Sequence, residues 1–331
     1  MSERSAPAAR AGRVVLGRRV RVRVPGSSAN LGPGYDALGL ALGVHDEVAV
    51  TAVPAERGVR VAVEGSGAGR VGVGEDHLVV RALRAALRSA GADQPGLEVV
   101  CRNGVPHGRG VGSSAAAVVA GVAAAGALLE VPLADDVLLD VASALEGHPD
   151  NAAASLLGGL TLGWHEAPPS ATAHGGRWRA VRVEPSPHLG VLLCVPGDEL
   201  STARARAMLP LQVPHADAAH TAGRAALLVE AVTRRPDLLL PATEDRLHQQ
   251  QRAAAMPGSW ALLMALRAAG HAAVVSGAGP SVLVLCPDDA CAGAAARLAA
   301  ATGGWRVLRP GIARTGAVVE ELAGGPGAAD G

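Results

Sequence analysis

From Arg19 to Val24 the chain alternates Arg-Val-Arg-Val-Arg-Val, which predicts a strand with valines inward and arginines in solvent. A solvated strand face explains those arginines more simply than a nucleic-acid patch does. Pro25 to Leu40 carries too many glycines and prolines for one regular element and predicts a loop leading into a short helix. His45 to Val53 predicts a second strand, and Asp76 to Ala90 an amphipathic helix with Leu78, Leu83 and Leu87 on its inner side. Leu97 to Arg102 predicts a strand that runs into a glycine-rich stretch, and the segment from Ser113 to Leu129 a helix almost free of large side chains. A further helix starts at Pro132 and Asp135, with Val137, Leu138, Val141 and Leu145 at helical spacing, and Ala152 to Leu157 resumes an apolar helix.

The second half reads less evenly. Gly158 to Trp164 and Leu189 to Val195 predict strands, separated by a loop at Ala167 to Gly176. Ser201 to Met208 predicts a capped helix start, and Ala216 to Arg235, Glu244 to Met256 and Ser259 to Ala269 predict helices. Strands at Ala272 to Val275 and Val282 to Cys286 flank a second glycine turn, Ser276 to Ser281. Met1 to Gly12 and the stretch beyond about Glu320 read as disordered, and no internal repeat is present.

Composition narrows the classes. A chain of 331 residues has room for about two domains. Hydrophobic residues make up 49%, yet aromatics only 2% with no Phe, so the core must be built of Ala, Val and Leu. Basic and acidic residues balance at 30 each, which argues against a dedicated nucleic-acid or membrane-surface protein. The scarcity of aromatics also removes platforms for base stacking. Cys101, Cys194, Cys286 and Cys291 form no C-x-x-C pair, so buried free thiols are expected rather than a zinc site or disulfides. The first residues lack the apolar core of a signal peptide. Ser113 to Leu129 lies near the lower limit of roughly 17 residues for a membrane span, and being Ala-rich is expected to be a buried helix of a cytoplasmic protein.

The candidate chemistry centres on Pro106-His107-Gly108-Arg109-Gly110-Val111-Gly112-Ser113-Ser114-Ala115-Ala116. Three glycines at alternate positions free successive N–H groups to turn toward one point, and the helix behind them adds partial positive charge. That is an anion cradle, for which phosphate is the usual anion. Ser113 and Ser114 stand where a hydroxyl can cap the helix, touch phosphate or hold Mg2+. The chain contains no Lys, which excludes a Walker A loop, a protein kinase and a pyridoxal phosphate enzyme. The glycine spacing does not match a Rossmann fingerprint.

Other polar groups gather elsewhere. Asn30 and Asp36 suit a polar ligand, or simply satisfy loop backbone groups. Glu146, His148, Asp150 and Asn151 crowd one corner, where Asp150 has the alternative role of helix cap. Thr202 and Arg206 share one helical face, and His248 and Arg252 another, although single arginines usually mark a solvated face.

Pro25 to Leu40, Pro106 to Ala116 and Ser276 to Ser281 together resemble the three signature motifs of the GHMP small-molecule kinases. Within them the wording P-G-S-S-A-N-L-G-P-G-Y-D, E-G-H-P-D-N, L-S-T-A-R-A-R-A-M-L-P and E-D-R-L-H-Q is similar to the homoserine kinase family. The chain departs from that pattern at Val111 for Leu, Tyr35 for Phe, and Gln250-Gln251 before Arg252.

The resemblance implies an α+β fold of two domains, ribosomal-protein-S5-like at the N-terminus and ferredoxin-like at the C-terminus, with the active site between them. The expected division is a tail at 1–17, an ATP-binding domain at 18–170, a C-terminal domain at 171–319 and a tail at 320–331. It implies ATP held by residues Pro106 to Ala116, Mg2+ on Ser114 and Glu146, and L-homoserine as the small-molecule partner, with a homodimer as a possible assembly. Asn30, Asp36, Arg206 and Arg252 would bind the amino acid. His148, Asn151, Thr202 and Glu146 would serve the transfer. A GHMP kinase for an isoprenoid or sugar alcohol and a non-catalytic nucleotide-binding regulator are the alternatives.

Overall fold

The computed structural model describes residues 12–167 and 175–323. In chain order the elements are β1 (Arg19–Asn30), β2 (Gly34–Val53), β3 (Val59–Gly65), α1 (Leu78–Ser89), β4 (Gly96–Asn103), α2 (Ser113–Leu128), α3 (Asp135–Glu146), α4 (Asp150–Leu157), β5 (Leu160–Glu166) and β6 (Arg177–Val183). There follow β7 (Gly190–Pro196), α5 (Thr202–Ala207), α6 (His215–Thr233), α7 (Leu239–Ala242), α8 (Pro257–Ala268), β8 (Ala272–Val275), β9 (Val282–Cys286), α9 (Asp289–Thr302), β10 (Trp305–Leu308) and β11 (Val318–Leu322).

Two sheets result. The larger runs β11-β1-β2-β4-β3, with β5 and β6 branching from β2, and the smaller runs β10-β7-β9-β8. Helices α1 to α4 cover the larger sheet over a core of Val, Leu and Ala, in which α2 is buried on nearly every side. Small side chains let these helices approach closely, which is how a core without Phe is filled. A second apolar layer, including Leu40 and Leu42 from the first sheet, Leu31 from the turn between β1 and β2, and Val191, Leu193 and Leu283 from the second sheet, joins the two bodies. The expected α+β fold of two domains is present.

Several expectations are corrected. Pro25 to Leu40 is a hairpin of two strands, not a loop and short helix. Its residues are buried on both faces, so the alternation that marks a half-exposed strand is missing, and Pro25/Gly26 coincide with a register shift. Glu244 to Met256 forms turns with a short 3₁₀ segment at Ala253–Ala255. There the Asp245 carboxylate accepts from the N–H groups of Leu247, His248 and Gln249, at 2.8, 3.1 and 2.8 Å, in place of helical carbonyls. The expected division at 170/171 separates β5 from β6, which pair with each other, and β11 returns to β1.

The tails are shorter than expected. Gly12 donates to the Ala90 carbonyl at 3.0 Å and Val15 to that of Leu128 at 2.9 Å, while Glu320 to Leu322 belong to β11. The rest of both expected tails and most of the Ala167–Gly176 loop lie outside the described residues. The four cysteines are free, three of them buried.

Candidate active site

Strand β4 hands the chain to the glycine loop, and Asp46 on β2 accepts from the Val105 N–H at 2.8 Å to fix its departure from the sheet. Gly108, Gly110 and Gly112 have φ of 65°, 70° and 69°. A Cβ on Gly110 would lie 2.2 Å from the Ser276 carbonyl oxygen, so both conformation and space demand glycine there. The second glycine turn docks on this loop, with Ser276 Oγ donating to the Gly110 carbonyl at 2.6 Å. Gly112 stands at the N-cap of α2 and no side chain caps the helix. Ser113 and Ser114 therefore do not close the helix end, and its first N–H groups remain for an anion.

The loop forms one wall of a cavity of about 360 Å³ between the two bodies. At its α3–α4 corner Ser114 Oγ donates to Glu146 Oε1 at 2.7 Å. Burial pushes the Glu146 carboxyl above its ordinary range, opposed by that hydrogen bond. Asp150, 2% exposed, receives His148 Nδ1 and the Asn151 N–H, each at 2.7 Å. A carboxylate only accepts, so Nδ1 carries the hydrogen and Nε2 is the ring atom left for a ligand. Burial lowers the His148 pKa, but the hydrogen bond and charge of Asp150 outweigh it and the net direction is upward. Asn151 Oδ1 accepts from Ser27 Oγ at 3.0 Å, which anchors its amide across to β1.

The opposite end carries the arginines. Arg206 on α5 forks onto Asp36, Nη1 to Oδ2 at 3.0 Å and Nη2 to Oδ1 at 2.7 Å. Asp36 is held in the left-handed region, φ 56°, where its N–H donates to Asn30 Oδ1 at 3.0 Å. Asn30 Nδ2 in turn donates to the Gly277 carbonyl at 2.9 Å. Arg252 is 1% exposed and has no carboxylate partner among the described residues. Its Nε reaches the Ala205 carbonyl at 3.3 Å and its Nη1 the His248 Nδ1 at 3.1 Å. His248 Nε2 bonds the Gly32 carbonyl at 2.7 Å, so that nitrogen donates and Nδ1 accepts from Arg252. Burial lowers the Arg252 pKa, yet a guanidinium keeps its charge. A buried cation without an acid, facing a cavity whose far wall is an anion cradle, suits a ligand that carries a carboxylate.

Comparison with known proteins agrees. Residues 77–159 match the GHMP kinases N terminal domain and residues 223–302 the GHMP kinases C terminal model. A homoserine kinase of Streptomyces avermitilis is 52% identical over 92% of this chain and 96% of its own length. This chain belongs to the homoserine kinase family of the GHMP kinases. A homoserine kinase of Leifsonia xyli subsp. xyli is 49% identical over 93% of this chain and 94% of its own length. The crystal structure of homoserine kinase from Cytophaga hutchinsonii superposes with a TM-score of 0.78 at 26% identity, covering 91% of this chain and 97% of that one.

In this GHMP kinase the cavity gathers Asn30, Asp36, Gly108, Gly110, Gly112, Ser113, Ser114, Ala115, Glu146, His148, Asn151, Thr202, Arg206 and Arg252 of the residues anticipated from sequence. Pro106, Val111 and Ala116 are buried and shape the loop from behind. Arg109 turns away: it donates to the carbonyls of His107 and Gly197 at 2.8 Å and to that of Pro196 at 3.1 Å. His107 borders a neighbouring cavity. Asn30 uses an oxygen and an amide hydrogen on backbone groups, and Asp36 and Arg206 engage each other as well as facing the cavity. Sequence reasoning missed Ser27, Asp150 as the partner of His148, His248 as the support of Arg252, and Gly277 to Gly279 as a wall. The four-residue spacing of His248 and Arg252 was the available signal, and it survives the loss of the helix because Arg252 N still donates to the His248 carbonyl at 3.2 Å.

Proposed function

We propose that the cavity phosphorylates the side-chain hydroxyl of L-homoserine with ATP, giving O-phospho-L-homoserine and ADP, as a cytoplasmic step of threonine biosynthesis. The observation that carries the substrate is Arg252, a buried cation with no acid partner among the described residues, which borders the same cavity as the glycine loop. The amino acid's carboxylate docks on Arg252 and Arg206 and its ammonium on Asp36. The Asp36–Arg206 pair stays in place, and the zwitterion adds its own two charges alongside it. No helix among the described residues is long and apolar enough to cross a membrane.

The triphosphate lies along the N–H groups of Gly108 to Ser114. A second cavity of about 360 Å³ shares Gly108, Ser113 and Ser114 with the first and is walled by Val48, Val71, Leu78 and Val79. It takes the adenosine, which leaves the γ-phosphoryl group facing Glu146 and His148. Ser114 and Glu146 fit Mg2+: a hydroxyl and a carboxylate 2.7 Å apart suit a hard cation, and burial drives that carboxylate to seek a compensating positive charge. When bound, the ion neutralises charge on the phosphate oxygens. The substrate oxygen forms its bond to the γ-phosphorus as the bond to the bridging oxygen breaks, and ADP leaves with that electron pair. The hydroxyl proton passes to His148 Nε2 or to a γ-phosphate oxygen. Asn151 cannot accept a proton and instead orients the hydroxyl, with Thr202 closing the cavity from α5.

The test is ADP release with MgATP against L-homoserine, L-threonine, L-serine, mevalonate and galactose. Strong turnover on L-homoserine alone is expected. Preferential turnover on mevalonate or galactose would overturn the roles given to Asp36 and the arginines, and ATP binding without any turnover would favour the regulator.

A further inference from the structure

We propose that Tyr35 is the positioning residue that holds Arg206 and Arg252 converged on one substrate carboxylate, and so sets the preference for a carboxylate-bearing acceptor. This rests on the homoserine reading above. The two guanidinium groups carry like charge and border the same cavity, so they repel, and long arginine side chains lose rotamer freedom when fixed. The Tyr35 ring answers both difficulties. The Arg206 guanidinium carbon lies 5.7 Å from the ring centroid and that of Arg252 lies 5.5 Å from it, within the range in which an aromatic face attracts a cation.

The hydroxyl adds direction. Arg206 Nη1 donates to Tyr35 Oη at 3.0 Å, which aims a fork already held by Asp36. The ring is itself braced by His248, with centroids 5.1 Å apart, and His248 is the group that holds Arg252. One half-buried ring, the only Tyr in the chain, thus connects both arginines and the histidine behind them. The contacts that define its role are with the two arginines and His248, so it acts by positioning those groups.

The experiment compares Tyr35→Phe and Tyr35→Leu with the wild-type full chain. It measures KM and kcat for L-homoserine, KM for ATP, and the inhibition constant of 3-aminopropan-1-ol, which is homoserine without its carboxylate, as competitor. Tyr35→Phe should raise the homoserine KM about threefold to tenfold through the lost hydrogen bond. Tyr35→Leu should raise it about tenfold to a hundredfold, with both ring contacts gone as well. In both variants kcat should change less than KM, and the ATP KM and the competitor's inhibition constant should stay near wild type, so discrimination for the carboxylate falls. Wild-type turnover with that discrimination intact in both variants, or equal losses for both compounds, would overturn the role of Tyr35. Absence of wild-type turnover on L-homoserine would overturn the substrate and this proposal together.

Discussion

Arg252 loses the hydration of its guanidinium on folding and gains carbonyls and one imidazole nitrogen in return, with no acid among the described residues. Arg206, by contrast, reaches the site already forked onto Asp36. The two arginines are therefore unequal: one is held only by neutral groups among the described residues, while the other is already paired with a carboxylate. At the far end Ser114 donates to Glu146, the pair we propose answers the phosphates. This division predicts separable effects. Asp36→Ala should raise KM for L-homoserine about ten- to a hundredfold, the range for a charged hydrogen bond, while Glu146→Ala should mainly lower kcat by about a hundredfold or more. Steady-state kinetics on both variants decide it, and equal, small effects would contradict the assignment.

At the scale of elements, the glycine loop depends on what delivers it. Asp46 is 2% exposed, accepts from Val105, and has its carboxyl pushed up by burial to about 6 despite hydrogen bonds from the Val105 and Gly104 backbone. Its ionised form is the disfavoured one in the folded chain. Its contribution to stability is thus fullest below the unfolded value near 4 and is lost as pH rises through about 6. Asp46→Asn removes this dependence. Urea unfolding at pH 4.5 and 7.5 should show the variant gaining on wild type with rising pH, by about 2 kcal/mol. Parallel pH curves would show that Asp46 stays ionised in the fold. The same loop explains what sequence could reveal. Alternate glycines running into an apolar helix gave away the cradle, because φ and space at Gly110 admit nothing larger. The hairpin of β1 and β2 stayed hidden, since strands buried on both faces show no alternation and their glycines and prolines read as breakers.

Across the whole molecule, the site exists only where the two bodies meet. The cradle, Glu146 and His148 come from the larger sheet and its helices, while Thr202, Arg206, Arg252 and the Gly277–Gly279 turn come from the smaller body. Residues more than a hundred positions apart are brought together, which no local pattern discloses. Their residue types were legible, and their pairing was not: Asp36 with Arg206, Asp150 with His148 and Tyr35 with both arginines are facts of packing. Pro106 to Ala116 and the acidic corner were singled out by motif wording, whereas nothing local marks that β6 and β11, on either side of the smaller sheet in sequence, pair into the larger one.

The most direct test of phosphoryl transfer between the two ends of this one cavity is identification of the product. The full chain is incubated with MgATP and L-homoserine, and phosphorus NMR is used to follow both ATP and the amino acid. The predicted result is a phosphomonoester on the homoserine side-chain oxygen, formed in step with ADP. ADP appearing with inorganic phosphate and unmodified homoserine would contradict it, because the arginine end would then not be holding the acceptor against the cradle.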